Sequence, residues 1–184
     1  MKVLLSADDI QRRVAEMARQ IAADYQGRSV TIVGVLTGCL MFLADLVRHL
    51  DLPLRIALLQ ASSYRGATTT PGTLSIHPEL LPDLRDRHVL LLDDILDTGQ
   101  TLHHLCKHLQ SLGIASLRVA VLLCKEGRQQ VPVAVDYRGF DIPDAFVVGY
   151  GLDYNDEYRH LPYIAIVNPL SAARYPPSAK DKSG

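Results

Sequence analysis

Residues 88–102, HVLLLDDILDTGQTL, carry an apolar run, two adjacent acids, a glycine-bearing turn and the start of a helix in one continuous unit. Val89 to Leu92 is unbroken apolar, the pattern of a strand buried on both faces of a parallel sheet. Asp93 and Asp94 follow at its carboxyl end, where open α/β sheets bind their ligands. The turn Asp97-Thr98-Gly99-Gln100-Thr101 then leads into a stretch with helical apolar periodicity. A helix N-terminus offers unpaired N–H groups and the positive end of the helix dipole, so it favours an anion. Gly99 lets the backbone approach that anion closely, and Thr98 and Thr101 add hydroxyl donors. No GxxxxGK[ST] pattern occurs, so the turn fits one monoester phosphate rather than a triphosphate. Asp93 and Asp94 would repel that phosphate and must face something else: ribose hydroxyls, a magnesium ion or a protonated base.

Strands and helices alternate on both sides of this unit. Ser6 is an N-cap with Asp9 three residues on, opening a helix with Ile10, Val14, Met17 and Ile21 on one face. Val30 to Leu36 reads as a buried strand, Gly38 to Leu50 as a helix and Ile56 to Leu59 as a strand. The helix after the phosphate turn closes at Gly113, and Leu117 to Leu123, Phe146 to Val148 and Ile164 to Val167 supply further strands. Such alternation predicts an α/β fold, a largely parallel twisted sheet flanked by helices. Residues 1–175 read as a single domain, and the polar, proline-bearing residues 176–184 as a frayed tail.

Composition excludes several classes. A net charge of −1 gives no basic field for nucleic acid, and no apolar run is long enough to span a membrane. The start, MKVLLSADD, turns acidic too soon for a signal peptide. Cys39, Cys106 and Cys124 lack CxxC spacing and read as reduced core thiols of a cytoplasmic protein. His104 and His108 lie four apart on one helix, but no third ligand is apparent, so they and His103 read as helix-surface histidines.

Leu90 to Thr101, LLLDDILDTGQT, resembles the phosphoribosyl-diphosphate signature of the type I phosphoribosyltransferases, and the rest of the chain, to about Pro169, resembles their hypoxanthine-guanine branch. The resemblance implies a small hood over the base site and a magnesium-dependent transfer of phosphoribosyl from its diphosphate to a 6-oxopurine. Asp97 would then be the general base, and Asp97 to Thr101 (Asp97, Thr98, Gly99, Gln100, Thr101) would hold the 5′-phosphate. Asp93 and Asp94 would orient ribose hydroxyls, and Asp93 would share magnesium with Asp153. Leu36-Thr37-Gly38, with a cis peptide between Leu36 and Thr37, would bind pyrophosphate through backbone N–H groups. The family often has lysine or arginine where this chain has Thr37. Ser63-Tyr64, in the polar segment SSYRGATTTPGTL from Ser62 to Leu74, would close over pyrophosphate as part of a lid. Lys125 would donate to the purine 6-oxygen. In FVVGYGLDYNDEYRHLPYIA, Phe146 to Ala165, Phe146 would stack on the purine, Val147 and Asp153 would stand at the base, and Arg159 would reach pyrophosphate.

The family implies a homodimer or homotetramer. Two alternatives share the fold: an RNA-binding nucleotide sensor, which wants a basic face, and a transferase for another acceptor such as xanthine or a pyrimidine. The basic residues Arg12, Arg13, Arg85 and Arg87 are dispersed rather than clustered.

Overall fold

The computed structural model describes residues 1–63, 74–77 and 80–167. Its strands are β1 (Lys2–Leu5), β2 (Val30–Leu36), β3 (Leu54–Ser63), β4 (Leu74–His77), β5 (His88–Leu96), β6 (Ser116–Lys125), β7 (Tyr137–Ile142), β8 (Val147–Val148) and β9 (Ile164–Ile166). The helices are α1 (Ala7–Asp24), α2 (Leu40–Arg48) and α3 (Gln100–Ser111). The main sheet has the order β4-β3-β2-β5-β6-β7. All neighbours in it are parallel except β3 and β4, which pair antiparallel.

The unbroken apolar strands are explained by cover on both faces. Val30, Ile32, Leu90, Leu92, Ala120 and Leu122 pack with Ile10, Val14, Met17 and Ile21 of α1 and Phe42 and Leu46 of α2. The alternate residues Val33, Val35, Val89, Leu91, Val119 and Val121 pack with Leu102, Leu105 and Leu109 of α3. Each fully buried aliphatic side chain contributes about 1.5–3 kcal/mol, so these two layers hold the sheet. Ser6 caps α1 as its spacing predicts, accepting the Asp9 N–H at 3.2 Å.

Topology sets where a ligand fits. After β2 the chain passes through α2 to β3 on one side; after β5 it passes through α3 to β6 on the other. The carboxyl ends of β2 and β5 therefore flank the point where the winding reverses, the crevice such sheets use for ligands.

The structure revises several boundaries. β5 does not stop at Leu92: it continues through both acids to Leu96, because Asp93, Ile95 and Leu96 stay in register with Val121, Leu123 and Cys124 of β6. Lys125 is likewise the last residue of β6, paired with Ile142, rather than the residue after it. Ser62 and Ser63 belong to β3, extended by pairing with Ser75 and Leu74 of β4. α2 is shorter than Gly38 to Leu50, since Thr37 to Cys39 form the turn and the chain leaves the helix at His49 in i→i−3 bonds. β1, β4 and β7 have no counterpart in the sequence reading.

The hood is a second, antiparallel sheet of order β1-β9-β8. Val3 registers on Ala165 and Val147 on Ile166, so the N-terminal MKVLL becomes a hood strand. No described helix is long and apolar enough to cross a membrane. Cys39, Cys106 and Cys124 are free thiols. Tyr64, most of the polar segment after Ser63 and the tail 176–184 lie outside the described residues.

Candidate active site

The end of β5 and the turn after it line a cavity of about 240 Å³ that includes Asp93, Asp94, Asp97, Thr98, Gly99 and Thr101. Larger cavities, of about 440 Å³ beside Pro82–Arg85 and about 330 Å³ beside Cys106 and Asp136, share no residue with this turn. Size does not locate the chemistry here; the convergence of polar groups does.

Gly99 is the N-cap of α3 at φ +85° and brings no side chain of its own to that helix end, where the Gln100 N–H donates to Thr98 Oγ1 at a long 3.5 Å. A Cβ at Gly99 would lie 2.3 Å from the Val131 carbonyl oxygen. The glycine is thus required by a close approach within the protein as well as by its left-handed backbone. Residues 126–133 form a strap over the turn: Gln130 and Val131 donate their N–H groups to the Thr98 carbonyl at 2.9 and 3.1 Å. The exposed Gln100 is tied to the same strap through Gln130 at 3.2 Å.

Asp93 is buried, and Asp94 donates its N–H to the Asp93 carboxylate at 3.0 Å. Burial raises both carboxyls above the ordinary range, Asp93 well above it with Asp94's charge adding to the effect. For an acid with a raised folded value, the stabilising contribution is fully present below the ordinary value of about 4 and is lost as pH rises through the folded value. Ionising Asp93 therefore costs stability, and the cost grows as pH rises out of the carboxylate range. Asp93→Asn should raise the melting temperature of the metal-free protein at neutral pH, by about 2–4 °C for each kcal/mol recovered. The gain should shrink on acidification into the carboxylate range, while activity is lost. A variant melting below the wild type at neutral pH would contradict this assignment.

Two loops meet beside these acids. The Leu36-Thr37 peptide is cis, Thr37 is exposed, and a Cβ on Gly38 would sit 1.8 Å from an Asp94 carboxylate oxygen. Gly151 of the hood passes so near that its Cβ would lie 2.0 Å from the Gly38 carbonyl. Arg159 donates to the Gly151 carbonyl at 2.7 Å and pairs with Asp153 at 2.8 Å. Its charge also draws the Asp94 carboxyl downward. The loop 150–158 holds Tyr150 at φ +50° and Tyr158 at φ +74°, conformations that side-chain-bearing residues rarely adopt outside functional loops. Tyr150 is fixed by a 2.6 Å hydrogen bond to Asp45 of α2, which ties the hood to the helix that follows the Gly38 turn.

On the open side, Lys125 reaches Asp97 at 3.2 Å and Phe146, 40% exposed, meets Tyr154 edge-to-face at 5.5 Å between centroids. One face of an aromatic ring so held remains available for stacking. Val147 is buried in β8. The sequence reading missed Arg128, whose Nε donates to Asp97 at 3.0 Å, and Asp144, 3.6 Å from Arg128 and 3.8 Å from Lys125. Its one signal was the spacing Lys125-Glu126-Gly127-Arg128, two cations on either side of a glycine turn. Burial pushes the Asp97 carboxyl up, but the hydrogen bonds from Arg128 and Lys125 outweigh it and hold the group below the usual range.

Among the described residues, no three His, Cys, Asp or Glu side chains converge to cage a metal. The donors present, Asp93, Asp94 and Asp153, are hard oxygens. They suit an ion such as magnesium, which takes one or two carboxylates and completes its shell with water and substrate phosphate. The desolvated Asp93–Asp94 pair would also be relieved by a cation.

Residues 3–155 match the phosphoribosyl transferase domain. The chain is 41% identical over 166 residues to a hypoxanthine-guanine phosphoribosyltransferase of Streptococcus pneumoniae, covering 90% of this chain and 92% of that one. It is 42% identical over 168 residues to the Staphylococcus aureus protein of the same name, covering 91% and 94%. A crystal structure of a Staphylococcus aureus hypoxanthine phosphoribosyltransferase superposes with a TM-score of 0.87 at 41% identity, covering 93% of both chains.

Proposed function

Because the chain belongs to the phosphoribosyl transferase family, we propose that it is a purine-salvage enzyme converting hypoxanthine or guanine and phosphoribosyl diphosphate to the nucleoside 5′-monophosphate and pyrophosphate. The observation that carries the acceptor class is the pairing of Lys125, 3.2 Å away, with Asp97, which lines the cavity. In a 6-oxopurine the 6-oxygen accepts and a protonated N7 donates on one edge of the ring. An ammonium beside a carboxylate matches that edge. A 6-amino group would turn its own donor toward the lysine.

In this reading the loop Asp97 to Thr101 holds the 5′-phosphate and the ribose hydroxyls face Asp93 and Asp94. The bond from ribose C1 to pyrophosphate breaks with its electron pair leaving on oxygen, and the purine nitrogen forms the new bond to C1. Asp97 accepts the ring proton. The Leu36–Gly38 backbone, Ser63-Tyr64 and Arg159 hold the departing pyrophosphate. Asp93 and Asp153 would hold magnesium, which when bound supplies positive charge against the leaving group. Phe146 stacks on the purine, and Val147 and Asp153 flank it. Holding two substrates in one complex contributes much of the acceleration.

The arginines Arg12, Arg13, Arg48, Arg118 and Arg138 are each paired with an acid, which argues against a basic nucleic-acid face. One domain over residues 1–175, a homodimer or homotetramer and a cytoplasmic location belong to the same proposal.

Lys125→Ala should raise the KM for hypoxanthine about ten-fold or more and narrow the preference for 6-oxo over 6-amino purines, since a hydrogen bond to a charged group is worth about 1.5–3 kcal/mol. Unchanged hypoxanthine saturation with adenine still excluded would remove Lys125 from base recognition.

A further inference from the structure

Both oxygens of the Asp97 carboxylate are occupied in the free protein: Oδ1 by Arg128 Nε at 3.0 Å and Oδ2 by Lys125 Nζ at 3.2 Å. Asp144 lies near both cations, at 3.6 and 3.8 Å, so the four side chains form a ring of alternating sign. The members differ in freedom. Lys125 is held by β6 with its side chain 12% exposed, whereas Arg128 is 42% exposed on the strap beyond Gly127. If Lys125 reads the purine 6-oxygen, it must release Oδ2, and that oxygen becomes the one that faces the purine edge. Arg128 has no such second task, and its hold on Oδ1 fixes how the freed oxygen is aimed.

We propose that Arg128 is a positioning residue for the transfer, clamping Asp97 through Oδ1 so that Oδ2, once released by Lys125, points at the purine proton. Asp144 balances the two cations while Lys125 changes partner. The inference rests on Asp97 and Lys125 having the roles given above, and it deepens that reading by naming the group that orients the base. The strap links the same clamp to the phosphate turn, since Gln130 and Val131, two and three residues beyond Arg128, donate to Thr98. A seated 5′-phosphate and an aimed carboxylate are thereby held by one segment.

The test compares wild type, Arg128→Ala and Arg128→Lys in steady-state assays with hypoxanthine and phosphoribosyl diphosphate. Arg128→Ala should lower kcat about 10- to 100-fold, the usual cost of removing a group that orients a reacting side chain. The KM for phosphoribosyl diphosphate should stay within about two-fold, since the phosphate turn keeps its own donors. Arg128→Lys should recover part of kcat, and added guanidinium ion should rescue Arg128→Ala saturably without affecting wild type. A general loss of packing would show neither recovery. A kcat within about two-fold of wild type in Arg128→Ala, or a loss confined to the KM for the diphosphate, would overturn the clamp. Silence of the wild type with every 6-oxopurine would instead overturn the reading beneath it.

Discussion

Replacing Asp97 by asparagine is expected to lower kcat by roughly 10²- to 10⁴-fold, the usual share of a general base. Asparagine is nearly isosteric and its carbonyl can still accept from Arg128 or Lys125, so the turn should keep its shape. What is lost is the proton acceptor. Lys125 also loses its nearest counter-charge and is left with Asp144 at 3.8 Å. Binding of phosphoribosyl diphosphate should change much less, because the α3 N-terminus and Thr98 remain. Single-turnover rates and a direct binding titration separate the two effects. Near-wild-type turnover would take Asp97 out of the proton transfer.

Gly99→Ala is expected to damage stability and diphosphate binding together. A residue with a Cβ at φ +85° costs about 1–2 kcal/mol from the left-handed backbone alone. The new methyl would also stand 2.3 Å from the Val131 carbonyl, which is backbone and cannot swing aside. Relief requires the strap to move, breaking the hydrogen bonds from Gln130 and Val131 to Thr98. With overpacking adding about 1–3 kcal/mol, the melting temperature should fall by about 5–15 °C. The KM for phosphoribosyl diphosphate should rise more than that for hypoxanthine. An alanine variant with wild-type melting and saturation would mean that the turn does not need its glycine.

The sequence made the centre of the fold legible because burial on both faces leaves a plain signature: Val89 to Leu92 is an unbroken apolar run, and Val30 to Leu36 is apolar but for Thr31 and Gly34. It hid what lies at the edges. β1 is short and depends on β9, a partner far along the chain, while β7 interleaves polar residues and shows as a strand only through its pairing with β6. β5 continues through Asp93 and Asp94 although carboxylates disfavour strands, because the ladder to β6 outweighs local preference. In the site, the order acids, turn, helix was readable along one segment. Arg128 was not, since only the folded strap brings it against Asp97 across 31 residues of chain. The Asp45–Tyr150 bond that anchors the hood spans 105 residues and leaves no local pattern either.

The most direct measurement is an initial-rate assay with phosphoribosyl diphosphate and magnesium, offering hypoxanthine, guanine, xanthine and adenine separately. Turnover of hypoxanthine or guanine, with adenine inert and a chelator stopping the reaction, is the predicted result. Folded protein that binds the diphosphate yet turns over none of the four would contradict the account.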